Sequence, residues 1–223
     1  MENPEAMSEL RPHEALIDRL GTELVPVRRL LPPWQRTAGW LLTVVAIAAL
    51  LVMHYGIQPM RLRWAATPDL AWAGLGAVAT AISGAWAAFT LGVPGRSRAW
   101  AWLPLPAAVL WIGASGLGCL RTWIAPGTEV AGLHQSADCL LFIISFSVPL
   151  SALLVILLRR ACPLRPVRTA VLIGLASAAA SASLLEICHA YDSAATDLLT
   201  HAAAVAFVVA VNAAMGGRLL SKA

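Results

Sequence analysis

The sequence predicts an all-α integral membrane protein, a six-transmembrane-helix bundle with a short N-terminal cytoplasmic amphipathic helix. Three observations lead there. Of the 223 residues, 59% are hydrophobic and only 13% charged, whereas a soluble domain carries roughly 25% charged residues. The mean hydropathy is +0.72. Six stretches also reach the roughly 20 apolar residues that, at about 1.5 Å each, cross a hydrocarbon core of about 30 Å.

The chain divides by this reading into residues 1–36, a cytoplasmic segment; 37–217, the transmembrane domain; and 218–223, a cytoplasmic tail. In the first segment Leu10, His13, Ile17, Leu20, Leu24, Val27 and Leu31 recur at spacings of three and four, which places them on one helical face. Pro12 suits the first turn of a helix, and Pro26 pushes Val25 out of helical geometry, so the expected helix runs from Pro12 to Leu24. A helix of that length is marginal alone and must bury its apolar stripe on a partner or at a membrane surface. Glu9, Glu14, Asp18 and Glu23 make it acidic to mixed, which suits a basic protein surface better than anionic lipid. The segment is polar and lacks an apolar core with a small-residue cleavage site, so no signal peptide is expected.

The expected spans are Thr37 to Ile57, Leu70 to Gly92, Trp100 to Leu120, Cys139 to Leu158, Val167 to Cys188 and Leu198 to Gly217. Short connections leave no room for an extramembrane catalytic domain. Orientation follows from the basic residues, which short cytoplasmic loops retain. With both termini inside, the inner side holds Arg11, Arg19, Arg28, Arg29, Arg36, Arg96, Arg98, Arg159, Arg160, Arg165, Arg168, Arg218 and Lys222, and the outer side only Arg61, Arg63 and Arg121. The basic pI of about 9.2 is thus a matter of topology and not a nucleic-acid footprint.

Trp34, Trp40, Trp64, Trp100, Trp102 and Trp123 fall near span ends, where an indole anchors among headgroups; Trp72, Trp86 and Trp111 lie deeper, the last two suited to facing lipid. Gly76, Thr80, Gly84 and Ala88 repeat every fourth residue, as do Ala170, Gly174, Ala178 and Ala182, and such stripes let helices pack closely in lipid. Pro104, Pro106 and Pro149 sit inside spans as candidate kinks. Mid-membrane positions are nearly free of ionisable groups, which disfavours a coupled transporter.

Cys119, Cys139 and Cys188 fall at the outer ends of the third, fourth and fifth spans, at similar depth. Any two could pair if their Cα atoms came within about 7 Å, and all three could equally be small buried packing residues. Cys162, in an inner loop, is expected to stay reduced. There is no C-x-x-C for disulfide exchange and no C-x-x-C-H for covalent haem. His54, His134, His189 and His201 gather with Glu186, Asp192 and Asp197 on the outer side, but without metal-ligand spacing. Glu186 is expected to find Arg121 or a histidine. No catalytic residue, metal site or cofactor is assigned.

Several strings together carry a resemblance: Leu24-Val25-Pro26-Val27-Arg28-Arg29-Leu30, Pro32-Pro33-Trp34 with Arg36, Val93-Pro94-Gly95-Arg96-Ser97-Arg98, Gly118-Cys119-Leu120-Arg121, Asp138-Cys139, Pro163-Leu164-Arg165-Pro166 and Cys188-His189. From about His13 onward the chain resembles the NrsF-type family of six-helix bacterial inner-membrane proteins. The resemblance implies an anti-sigma factor that holds an extracytoplasmic-function (ECF) sigma factor at the membrane until an envelope or oxidative signal arrives, with no direct contact to nucleic acid and lipid as its other partner. It implies Cys139 and Cys188 as the redox-sensing pair, with Cys119 as a third candidate; the acidic amphipathic segment is then the expected binding element, with His13, Leu16, Ile17, Leu20, Leu24, Val27, Arg28 and Arg29 as partner-binding residues. One departure is that His189-Ala190-Tyr191-Asp192 follows Cys188 where a proline is expected. The rival readings are a membrane redox protein binding haem or quinone through outer His or Cys, and a small-molecule transporter.

Overall fold

The computed structural model describes residues 4–22, 30–124, 133–161, 163–188 and 195–220, which are helix, turn and short connection. They belong to two compact units, Met1–Leu30 and Leu31–Ala223.

The first unit is helix α1, Pro4–Thr22. It starts eight residues earlier than the sequence suggests, because Pro4 also suits a first turn, where the missing N–H has no partner to lose. Pro12 therefore lies within the helix and does not open it. Thr22 closes the helix, its Oγ1 donating to the carbonyl of Arg19 at 2.8 Å.

The second unit contains α2 (Pro33–Tyr55), α3 (Gln58–Ala66), α4 (Pro68–Leu91), a 3-10 turn at Arg98–Trp102, α5 (Leu105–Ile124), α6 (Leu133–Arg159), α7 (Pro166–Cys188) and α8 (Ala195–Leu220). Among the described residues six stretches are long and apolar enough to cross a membrane: Pro33–Tyr55, Pro68–Leu91, Arg98–Leu120, Ala137–Arg159, Pro166–Cys188 and Leu198–Leu220. The six expected spans are present within a few residues. The end where α2 begins is called the base and the end that carries α3 the head.

Helices α4 and α7 form the centre, each packed on the other and on outer helices: α5 against α4, α6 and α8 against α7. Their apolar windows are 67% and 72% buried, against 11–33% for the other four. What lets them meet is the absence of side chains. A Cβ on Gly84 of α4 would lie 3.2 Å from Ala176 Cβ of α7, and one on Gly76 only 2.6 Å from the backbone nitrogen of Trp111 in α5. The stripe read in α4 thus serves two neighbours. Likewise a Cβ on Gly174 of α7 would sit 2.9 Å from Val209 Cα of α8, and one on Gly216 of α8 would sit 2.6 Å from Ala170 Cβ.

Three local expectations change. Trp40 is fully buried, its Nε1 donating to the Leu150 carbonyl at 3.2 Å, so it is a core residue and not a headgroup anchor. Pro104 and Pro106 do lie inside the third span, Arg98–Leu120, but they do not bend a continuous helix; they mark its break between the 3-10 turn and the start of α5, where a lost N–H costs nothing. The stretch after the first span, read as a loop, is the short helix α3, which brings Arg61, Arg63 and Trp64 to the head. Pro149 does lie inside α6, as expected. Val93-Pro94-Gly95-Arg96 forms a tight turn at the base, with Gly95 at φ +81° and Arg96 N–H on the Val93 carbonyl, the arrangement of a type II turn.

The close approaches make a paired prediction. Gly84→Val has no room for its methyls against Ala176 and should lower stability by about 1–3 kcal/mol, the usual scale of overpacking. Gly113→Ala, with nothing within 4 Å of its added Cβ, should leave stability unchanged or raise it by about 0.5–1 kcal/mol, because alanine holds a helix better. Thermal unfolding of the two variants in detergent, side by side with wild type, measures both.

Candidate functional site

Chemistry-bearing residues gather at three places: the exposed face of α1, the base around Arg36 and the head around Cys139. On α1, His13, Leu16, Ile17 and Leu20 are all exposed, the last three at 52%, 67% and 54%. Their spacing puts them on one face, so an apolar strip stands open on a helix that also carries Glu14, Asp18 and Arg19. Leu24, Val27, Arg28 and Arg29, the remaining candidates for partner binding, lie outside the described residues.

At the base, Arg36 is a buried cation, only 6% exposed, in the first turn of α2. The last four carbonyls of a helix have no partner within it, and a cation there also meets the negative end of the helix dipole. Arg36 answers both needs, because its Nη2 donates to the carbonyl of Leu157 in the last turn of α6. Its guanidinium lies over the Phe89 ring of α4, 4.6 Å from the centroid. One side chain, six residues beyond Leu30, thus ties α2 to α4 and α6. In the sequence Arg36 counted toward topology and the family resemblance, with no structural task assigned; the signal that could have found one is an arginine at the very start of an otherwise apolar span.

At the head, Arg63 of α3 repeats the device, its Nη2 donating at 2.6 Å to the carbonyl of Glu186 in the last turn of α7. Trp64 Nε1 reaches the Glu186 carboxylate at 3.5 Å. Two of the groups that Glu186 meets are therefore on α3, an element that hydropathy alone does not reveal; the Arg121 side chain lies outside the described residues.

Cys139 of α6 is buried with Ile143, Leu185 of α7 and Ala204 of α8 in a small cluster distinct from the main core, and Cys188 packs against it half-buried. Cys188 Sγ lies 3.5 Å from the Leu185 carbonyl. Cys139 and Cys188 thus share one apolar cluster at the head, while Cys119, half-buried on α5, stands outside it. All three are thiols. Cys162, His189 and Asp192 fall outside the described residues, as do the side chains of His134 and Asp197. Among the described residues no three His, Cys, Asp or Glu side chains are placed to hold a metal ion.

Comparison with known families decides the assignment. A family model described as NrsF, negative regulator of sigma F, matches residues 20–221. The chain belongs to the NrsF family. The match takes in every helix of the bundle and the end of α1, so both the head cysteines and the base arginine of this NrsF protein lie within it. The family implies a negative regulator of a sigma factor. No curated protein and no solved structure matches the chain.

The base contact sets an expectation. Arg36→Ala removes a charged hydrogen bond and a cation over a ring, and should cost about 2–3 kcal/mol of bundle stability. Arg36→Lys, which keeps the charge but not the planar fork, should fall between the two. Unfolding midpoints in detergent give the order wild type, Lys, Ala; equal midpoints would mean that the contact contributes nothing.

Proposed function

We propose that this protein is a membrane-bound anti-sigma factor that sequesters an ECF-type sigma factor at the bacterial inner membrane and releases it on an envelope or oxidative signal. The observation that carries the reading is the exposed strip of Leu16, Ile17 and Leu20 on an acidic helix in the segment ahead of the spans. An apolar strip left open in water seeks a partner, and its acidic flanks select a basic one. Membership of a family of negative regulators of sigma F supplies the class of partner. Binding would be stoichiometric and needs no catalysis.

Orientation in this reading follows the thirteen-to-three division of Lys and Arg, which puts the base and both termini in the cytoplasm and the head outside. Cys139 and Cys188 then face the oxidising side. Closing a disulfide would take two electrons and two protons from the thiols to an oxidant arriving there, and would join α6 to α7. Helix α6 offers a route inward, since it runs 27 residues from Leu133 to Arg159 with Cys139 near one end and Leu157, held by Arg36, near the other. A disulfide alters conformational balance by roughly 2–4 kcal/mol and an allosteric switch uses about 1–3. The scales match.

Ile17→Glu with Leu20→Glu should abolish co-purification of a sigma factor from the native host while the six spans still insert, because an unpaired carboxylate in an apolar contact costs several kcal/mol. Undiminished capture by the double variant would remove α1 as the binding element.

The sensing pair is checked by alkylation. Oxidant should convert Cys139 and Cys188 to a form that resists alkylation and should release the bound sigma factor. Cys139→Ser and Cys188→Ser should both lose the response, with Cys119→Ser retaining it. Loss in Cys119→Ser alone would move the pair, and a wild-type response in all three would leave the cysteines as packing residues.

A further inference from the structure

A cavity of about 360 Å³ opens between α5 and α8, with α4 and α7 behind it. Its size falls in the range of small-molecule sites, which are mostly apolar with a few convergent polar groups. It exists because alanines stand where larger residues would close it, Ala73 and Ala77 on α4, Ala108 on α5, Ala182 on α7, Ala202 and Ala206 on α8. Ala202 and Ala206 are exposed, so the cleft is open along its side. Trp111 supplies an aromatic surface in the wall.

The polar groups are confined to few positions. Arg63, Glu186 and His201 all come from the head end of their helices, with Ser115 the remaining polar side chain in the lining. The Arg63 Nε is buried and has no hydrogen-bond acceptor among the described residues. The arginine and the glutamate cancel in charge, so the mouth offers donors without a net field. An anionic head would meet the glutamate and a cationic one the arginine. A neutral head with carbonyl acceptors meets neither penalty.

We propose that this cleft binds one neutral, ring-bearing amphiphile of the quinone class, entering sideways from the bilayer. Its carbonyl head sits at the Arg63, Glu186 and His201 end, and its ring and tail occupy the apolar wall that Trp111 and the alanines form. Leu185 lines this cavity and also packs in the Cys139 cluster, so a ligand here presses on a residue that the head cysteines share. The assignment does not rest on the sigma-factor reading, because binding is read on the purified chain alone.

The test uses the full-length protein in detergent, with native mass spectrometry counting adducts. The probes are decylubiquinone, decanoic acid and phosphatidylethanolamine. Decylubiquinone should give a single saturable adduct, and decanoic acid at the same concentration should occupy at least about tenfold less, a difference of about 1.4 kcal/mol. Ala202→Trp and Ala206→Phe, which fill the cleft from its open side, should each lower quinone occupancy by about tenfold or more with an unchanged unfolding midpoint. Glu186→Gln leaves the Arg63 charge uncompensated, and should reverse the preference toward decanoic acid. The proposal is overturned by absence of a quinone adduct or by an adduct that both filling variants retain. It is equally overturned if decanoic acid or the phospholipid occupies the cleft as well as the quinone does, which would make the cleft a lipid groove. A Glu186→Gln protein that keeps the wild-type preference overturns the assignment of the head.

Discussion

Two helices surrounded by hydrocarbon gain little by hiding leucine from lipid, because lipid is as apolar as leucine. Close packing must supply the cohesion. In this protein that constraint falls on α4 and α7, whose contact is made by Gly84 against Ala176 and by a run of buried alanines, serines and threonines. The short side chains bring backbones near enough for dispersion to act along the full length of both helices. Everything else is hung on this pair. Helix α5 docks where Gly76 admits the Trp111 backbone, and α8 docks where Gly174 and Gly216 admit Val209 and Ala170. Several small polar residues are buried with a neighbour to bond: Thr80 Oγ1 on the Gly76 carbonyl, Ser181 Oγ on the Ser177 carbonyl, and Ser147 Oγ of α6 on Ser181 of α7, whereas the hydroxyls of Thr90, Thr169 and Ser177 are buried with no hydrogen-bond partner among the described residues.

A second constraint acts at the ends of the helices. A span that stops inside the protein leaves carbonyls without partners where water is scarce. The chain answers with arginines from other helices, Arg36 on Leu157 of α6 at the base and Arg63 on Glu186 of α7 at the head. These two contacts take arginines that a count of loop charges treats as topology signals and give them a structural task. The positive-inside argument is not weakened by this, since the inner surplus remains large when Arg36 is set aside.

The spans could be read from the chain because a transmembrane helix is a local property: twenty apolar residues declare themselves without reference to anything distant. The small-residue stripes were legible for the same reason, as a four-residue repeat within one helix. What the sequence could not show were partners far apart in the chain. Trp40 looks like an interfacial anchor until Leu150, 110 positions away, turns out to accept its N–H. The link from Arg63 to Glu186 spans 123 positions and depends on α3, a helix too short and too polar to announce itself by hydropathy. Depth alone did not part Cys139 and Cys188 from Cys119, and only the family resemblance singled them out; the packing of α6 against α7 puts those two in one cluster that Cys119 does not join. At the other extreme α1 was readable as a helix face, yet its start was misplaced because Pro4 and Pro12 offer the same local signal.

These features together bear on how such a bundle can carry a signal. A core of interlocking small residues has few side chains to rearrange, so it responds to force by moving whole helices, not by local repacking. Helix α6 is suited to that. It contributes Cys139 and Ile143 to the head cluster and Leu150, Leu154 and Leu158 to the main core, and it ends at the carbonyl that Arg36 holds. Ser147 is its fully buried polar group on the α7 side, and a single hydroxyl contact of 3.1 Å is a weak latch by comparison with the packing around it. Between the head and the base α6 is also held by Trp40 on the Leu150 carbonyl and by Asn212 on Ser151, so a shift of α6 against α7 would have to carry these neighbours with it. At the base Arg36 adds a charged hydrogen bond to the carbonyl of Leu157 in the last turn of α6, so the helix is tied at that end to α2 as well as packed along α7.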